Sequence, residues 1–212
     1  MTDSQSPASD RRTQFLQIAR RRFVVDGYAR TPVSAIVREA GVAQGTFYLY
    51  FKGKQGLLTE LRREVFRDYA RTLADEARRD CPADERLARV IVSMVDAVAR
   101  NLDLERVFRH AESAEATLRV AREGRSRLGQ TAAKFLEDGA ENGVFNIKDA
   151  HRIAGFIVIL FDHILYEAWV YEPGSIDRVL AESLRFVLMG VGVAPERVSS
   201  LVQASSHWRA SP

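Results

Sequence analysis

The sequence holds a single cysteine, Cys81, in 212 residues. That excludes an internal disulfide and a cysteine-rich zinc site, and it fits a reducing cytoplasm. The N-terminal stretch "MTDSQSPASD" lacks the apolar core of a signal peptide. The longest apolar run, Ile153 to Phe161, spans nine residues before Asp162 and is far too short to cross a bilayer. No segment alternates apolar and polar residues for long enough to read as a strand. Catalytic signatures are missing too: there is no G-x-S-x-G, no phosphate-cradling glycine loop after a strand and no H-E-x-x-H. Cys81 precedes a proline in a charged linker and has no evident base partner. The expectation is a soluble, cytoplasmic, all-α protein that is not an enzyme, carries no cofactor and has no membrane partner.

The composition that remains, 46% hydrophobic and 28% charged, is that of a globular protein long enough to bury a substantial core. The net charge of +3 conceals an asymmetry. Residues 1–56 carry nine Lys/Arg against four Asp/Glu, a balance of +5, so the other 156 residues sum to −2. A basic head on a mildly acidic body points the head at a polyanion. A solvated charged helix face around "ARRRF" would give the same count.

Residues 1–9 read as a disordered Ser/Pro-rich tail and 205–212 as a loose C-terminal tail. Between them almost everything reads as helix. Asp10 caps a first helix with an apolar stripe of Phe15, Ile18, Ala19 and Phe23, and Gly27 stops it. Thr31 is a suitable N-cap, with Pro32 at the first position of a second helix whose apolar face is Val33, Ile36, Val37 and Ala40. After Gly41 a third, short helix covers about 44–50, and a long fourth runs from Lys54 towards Arg79. Beyond Pro82, helices are expected at about 84–101, 103–110, 115–141, 149–172 and 175–191.

Helix, a glycine-led turn at Gly41-Val42-Ala43 and a second short helix describe a helix-turn-helix. On a helical wheel Phe47 and Phe51 fall together and face a core. The opposite side carries Gly45 and Leu49 flanked by Thr46 and Tyr48, with no charged residue. Ordinary solvation does not explain that face; a DNA major groove does. Gly45 lets the backbone approach the duplex, Gln44 and Thr46 can bond base edges or phosphates, and Leu49 can meet a thymine methyl. Tyr48 and Tyr50 can reach phosphates. Thr31 and Ser34 at the start of the second helix offer a further phosphate contact, and Lys52 and Lys54 supply positive charge. A protein contact through the exposed Leu49 and tyrosines is the alternative.

The stretch "TPVSAIVREAGVAQGTFYLYFKGKQGLL" resembles the DNA-binding head of the TetR family of bacterial transcriptional regulators. The matching positions are Thr31, Ile36, Ala40, Gly41, Val42, Gly45, Tyr48, Phe51, Lys54 and Leu57, and "ARRRFVVDGYARTPV" matches the preceding helix. The likeness is strong over about 11–60. Four positions depart from the family's habit: Ala43 and Gly53 replace usual helix-capping residues, Pro32 a threonine, and Val37 an alanine. Leu49 sits where an aromatic is common, so base preference does not carry over. The resemblance implies a homodimeric repressor on a near-palindromic operator. Its body, 57–204, would take a small-molecule inducer that changes the spacing of two DNA-binding heads, 10–56.

In the body, the helix at 149–172 is apolar nearly all round. Ile153, Ile157, Leu160, Ile164 and Ala168 line one side; Val158, Phe161, Leu165 and Trp169 line the other. With the single stripe of 175–191, this makes the two C-terminal helices the expected homodimer face, unless the core is simply large. Asp162, His163, Tyr166 and Trp169 interrupt the apolar helix, and Phe108 and His110 lie on an earlier one. Together they suit a largely apolar ligand with one polar end, an acyl chain or an aromatic acid. His163 and Glu167 share a face, with His110 and Glu112 elsewhere, but without a recognised spacing no metal site is expected. A regulator controlled by a protein partner, and a non-specific architectural DNA binder, are the rival functions.

Overall fold

The structure, a computed structural model, describes the backbone of residues 7–111, 115–171 and 174–210, and their side chains except those of 7–9, 164–169, 171 and 209–210. The described residues form ten α-helices and no strand: α1 Pro7–Val25, α2 Val33–Glu39, α3 Gln44–Tyr48, α4 Lys54–Ala77, α5 Ala83–Arg100, α6 Leu102–His110, α7 Glu115–Glu141, α8 Ala150–Tyr171, α9 Ile176–Gly190 and α10 Pro195–Ala210. Two differ from expectation. The first helix starts at Pro7 rather than Asp10, so 7–9 of the supposed tail are helical; the rest of that tail, 1–6, lies outside the described residues. At the other end, 205–210 are not a loose tail but the last turns of α10. Val198, Leu201, Val202 and Ser205 are buried along one side of α10, and the guanidinium of Arg89 lies 4.2 Å from the Trp208 ring centroid. Serines between these anchors dilute the apolar stripe, which hides the helix in the sequence.

Contacts divide the chain into two compact units, 1–65 with 103–122, and 66–102 with 123–212. In the first, Phe15, Ile18, Ala19 and Phe23 of α1 are buried as their spacing predicts, together with Ile36, Phe47, Phe51, Leu57, Leu58 and Leu61. Phe15 meets Phe47 edge-on at 5.3 Å and Phe51 at 6.2 Å. Fully burying one such ring stabilises by about 1.5–3 kcal/mol, so these few aromatics hold onto α1 the helices α2 and α3, which are too short to persist alone. Gly27 (φ +86°) and Gly41 (φ +67°) end α1 and α2 in the left-handed region that glycine tolerates best. On α6, Phe108 is buried under the guanidinium of Arg62, 4.6 Å from its centroid, and Arg62 Nη1 donates to Glu105 Oε2 at 2.7 Å.

The second unit gathers its core from α5, α7, α8, α9 and α10, with Leu136, Phe145, Leu184, Leu188 and Leu201 among its members. Arg86 closes the end of α4 by donating to the carbonyls of Ala77 (3.3 Å) and Cys81 (2.9 Å). The α8 stripes depart from expectation. Ile153, Ile157 and Leu160 pack on the core, but so does Phe161, while Phe156 and Ile159 are exposed. On the adjacent α9, Phe186 (70% exposed) and Met189 are exposed as well. The exposed side of α8 thus runs through Phe156 and Ile159, two positions before the Val158 and Phe161 expected there.

The second unit also pins α10 onto α5. Arg197 Nε donates to Asp84 Oδ2 at 2.6 Å and Nη2 to Oδ1 at 3.3 Å. Burial pushes the Asp84 carboxyl up, but the bonds from Arg197 and from the Glu85 amide outweigh it and hold it below its usual 3.8. A depressed carboxyl pKa contributes stability above the ordinary value and loses it as pH falls through the folded one. Asp84→Asn is therefore expected to lower the urea midpoint at pH 6, and the gap from the parent is expected to shrink at pH 3. An equal gap at both pH values would contradict this.

Candidate nucleic-acid interface

Phe47 is the hinge of the site. Fully buried, it fixes the rotation of α3 about its axis, so that the side opposite Phe47 and Phe51 must face away from the core. Leu49 (82% exposed) and Tyr48 (55% exposed) stand there, with Gln44 and Gly45 exposed and Thr46 half-buried beside them. A Cβ at Gly45 would meet no atom within 4 Å. Packing within the chain therefore does not call for glycine at this position. Ala43 caps α3 with extended backbone and no side-chain bond, as its replacement of a hydroxyl residue implies.

The remaining predicted residues fall into two groups. Ser34 and Lys52 are exposed, and Tyr50 is half-buried with its ring 5.9 Å from Phe15. Thr31 is a correction. It is buried, α2 begins after Pro32 rather than at Thr31, and the Thr31 hydroxyl donates to the Gly27 carbonyl at 2.9 Å and the Arg22 carbonyl at 3.4 Å. Its oxygen faces backbone, not a phosphate. Lys54 is likewise engaged: Nζ donates to the carbonyls of Tyr28 (2.6 Å) and Ala29 (3.2 Å) and lies 4.4 Å from the Tyr28 ring centroid. Burial lowers the Lys54 pKa and raises that of Tyr28. Gly53 also gains a reason, since its φ of +85° calls for glycine in place of a polar cap.

The sequence missed two features here. Arg21 and Arg22 of α1 both donate to Glu39 of α2, so part of the head's positive charge is spent inside it. The separations of 18 and 17 residues give no local signal. A cleft of about 370 Å³ also opens among Arg12, Tyr50, Lys52, Gln55, Thr59 and Arg63.

The ligand candidates are divided between the units. Phe108 is buried against Arg62, and His110 is exposed with Nδ1 2.7 Å from the Arg106 carbonyl. On α8, Asp162 is half-buried and accepts from Arg125 Nη1 at 3.0 Å, while His163 is exposed. The side chains of Tyr166, Glu167 and Trp169, and all of Glu112, lie outside the described residues.

Comparison with known proteins decides what kind of head this is. The family profile described as "Bacterial regulatory proteins, tetR family" matches residues 15–61, and that described as "Tetracyclin repressor-like, C-terminal domain" matches residues 80–178. The chain belongs to the TetR family of bacterial transcriptional regulators. Among TetR-family relatives, the fatty acid metabolism regulator protein of Bacillus subtilis is 36% identical over 78 residues, 37% of this chain and 40% of that protein. A putative TetR-family regulator from Syntrophomonas wolfei has the same fold, with a TM-score of 0.75 at 23% identity over 88% of this chain and 97% of that one. So has FadR from Bacillus subtilis, solved in complex with stearoyl-CoA, with a TM-score of 0.69 at 22% identity over 86% of this chain and 98% of that one. The helix-turn-helix of a TetR-family regulator is thus α2, the turn at Gly41 and α3.

Proposed function

We propose that the protein is a dimeric repressor whose α3 enters the major groove of a near-palindromic operator and whose body responds to an acyl ligand. The observation that carries the first half is the uncharged, exposed face of α3. Leu49 and Tyr48 stand clear of the chain, and the glycine at position 45 answers no demand inside the protein. A duplex backbone brought close to α3 supplies that demand. Gln44 and Thr46 read base edges, and Ser34, Tyr50 and Lys52 hold phosphates on either side. Residues 10–56 act as the head, and the protein works in the cytoplasm, where its DNA is.

The dimer forms through α8 and α9, where Phe156, Ile159, Phe186 and Met189 are exposed on neighbouring helices. Large apolar side chains exposed on two packed helices mark a partner site, and a two-fold axis there would pair two copies of the chain.

For the ligand, support comes from relatives rather than from geometry: a fatty acid metabolism regulator, and a fold neighbour bound to stearoyl-CoA. An acyl chain with a polar end also fits the mixed character of α8, where Asp162, His163, Tyr166 and Trp169 interrupt apolar residues. The test starts from a duplex enriched by the protein from a randomised library. Stearoyl-CoA is expected to release it, and coenzyme A alone is not. Retention of the duplex at saturating stearoyl-CoA would count against the acyl reading and favour control by a protein partner.

A further inference from the structure

The loop between α1 and α2 has an unusual property. Each backbone carbonyl from Asp26 to Ala29 accepts a side-chain donor. Arg30 Nε donates to Asp26 O at 2.6 Å, and the Thr31 hydroxyl donates to Gly27 O at 2.9 Å. Lys54 Nζ donates to Tyr28 O at 2.6 Å and Ala29 O at 3.2 Å. Two of these donors belong to the loop itself, and only Lys54 comes from elsewhere in the chain, the first residue of α4. Its ammonium also lies over the Tyr28 ring, which is braced edge-on against Phe23 at 5.1 Å. Gly27, at φ +86°, gives the loop a backbone that would otherwise have several alternatives.

We propose that Lys54 is a positioning residue: its ammonium ties the α1–α2 loop to the start of α4, and so sets where α2, and α3 packed on it, present themselves to DNA. Its charge is not a phosphate contact. A lysine ammonium has three donors; two are directed at loop carbonyls and the face of the ion is shared with an aromatic ring. Lys52, two residues earlier and exposed, is a cation free of these loop carbonyls and open to the duplex. The DNA part of this inference rests on the function proposed above; the loop part does not.

The two roles differ in salt dependence. Losing a phosphate contact reduces the slope of log affinity against log salt by about 0.9 per contact, whereas misplacing a helix weakens binding at every salt concentration with the slope kept. Lys54→Gln, Lys54→Arg and Lys52→Gln would be compared on the library-enriched duplex, with amide hydrogen exchange of the DNA-free proteins followed in parallel. Lys54→Gln is expected to weaken binding about tenfold or more at the parent's slope and to speed exchange at Thr31 and Ala35. Lys54→Arg, which can still donate to both carbonyls, is expected to restore most of the affinity and the protection. Lys52→Gln is expected to lower the slope and leave exchange unchanged. A slope lowered by Lys54→Gln as much as by Lys52→Gln, or unchanged exchange in the loop, would overturn the proposal. Should no duplex be enriched, the repressor reading fails, while the exchange data still decide whether Lys54 holds the loop.

Discussion

Phe47→Ala is expected to abolish DNA binding while the second unit stays helical. The ring is fully buried and meets Phe15 at 5.3 Å, Phe51 at 5.8 Å and Tyr48 at 5.3 Å. Truncating a buried phenylalanine costs about 3–5 kcal/mol, because lost burial is joined by an unfilled cavity. That is a large part of what holds α1, α2 and α3 together, given total domain stabilities of about 5–15 kcal/mol. The cavity would also open directly beneath α3, so even a folded variant would present Tyr48 and Leu49 at the wrong rotation. Hydrogen exchange should show α1 to α3 losing protection together, with α5 and α9 unchanged. Binding to the enriched duplex within threefold of the parent would mean that α3 does not depend on this packing.

Phe186→Glu is expected to give a monomer that binds the duplex poorly. Phe186 is 70% exposed on α9, one turn from the exposed Met189, and α8, which packs on α9, exposes Phe156 and Ile159. In a two-fold interface each substitution occurs twice. Losing the burial of two phenylalanine rings alone removes about 3–6 kcal/mol, or roughly a hundredfold to ten-thousandfold in the dimer dissociation constant. Two carboxylates placed in an apolar interface add a desolvation penalty. Sedimentation equilibrium would report the change, and the monomer should keep the helical content and thermal midpoint of a folded chain. A dimer of unchanged affinity would move the interface away from α8 and α9.

The head was legible from its sequence because its signals are local. The spacing of Phe15, Ile18, Ala19 and Phe23, the glycine at 41 and the pairing of Phe47 with Phe51 each act within one or two helical turns, and each is buried or turned as expected. Where a side chain's partner is backbone outside its own helix, no local pattern announces it. Lys54 looks like a free cation beside a groove, yet it is spent on carbonyls 26 and 25 residues away. Thr31 looks like a helix cap, yet it bonds back across the turn to Gly27. In the body, α8 is apolar on most faces, so its periodicity could not say which residues turn outward; tertiary packing selected Phe156 and Ile159 rather than Phe161. The helix at 195–210 was hidden for the opposite reason, because its buried side includes a serine and is sparse.

The most direct test of the central claim is selection from a randomised duplex library, followed by footprinting of the bound product. Two heads of one dimer reading one side of B-DNA predict enrichment of two inverted half-sites, their centres about 34–36 Å apart or a multiple of that distance. Protection should be confined to the major groove of each half-site, and Tyr48→Ala should lose it. Enrichment of a single asymmetric site, or of no sequence at all, would contradict the account.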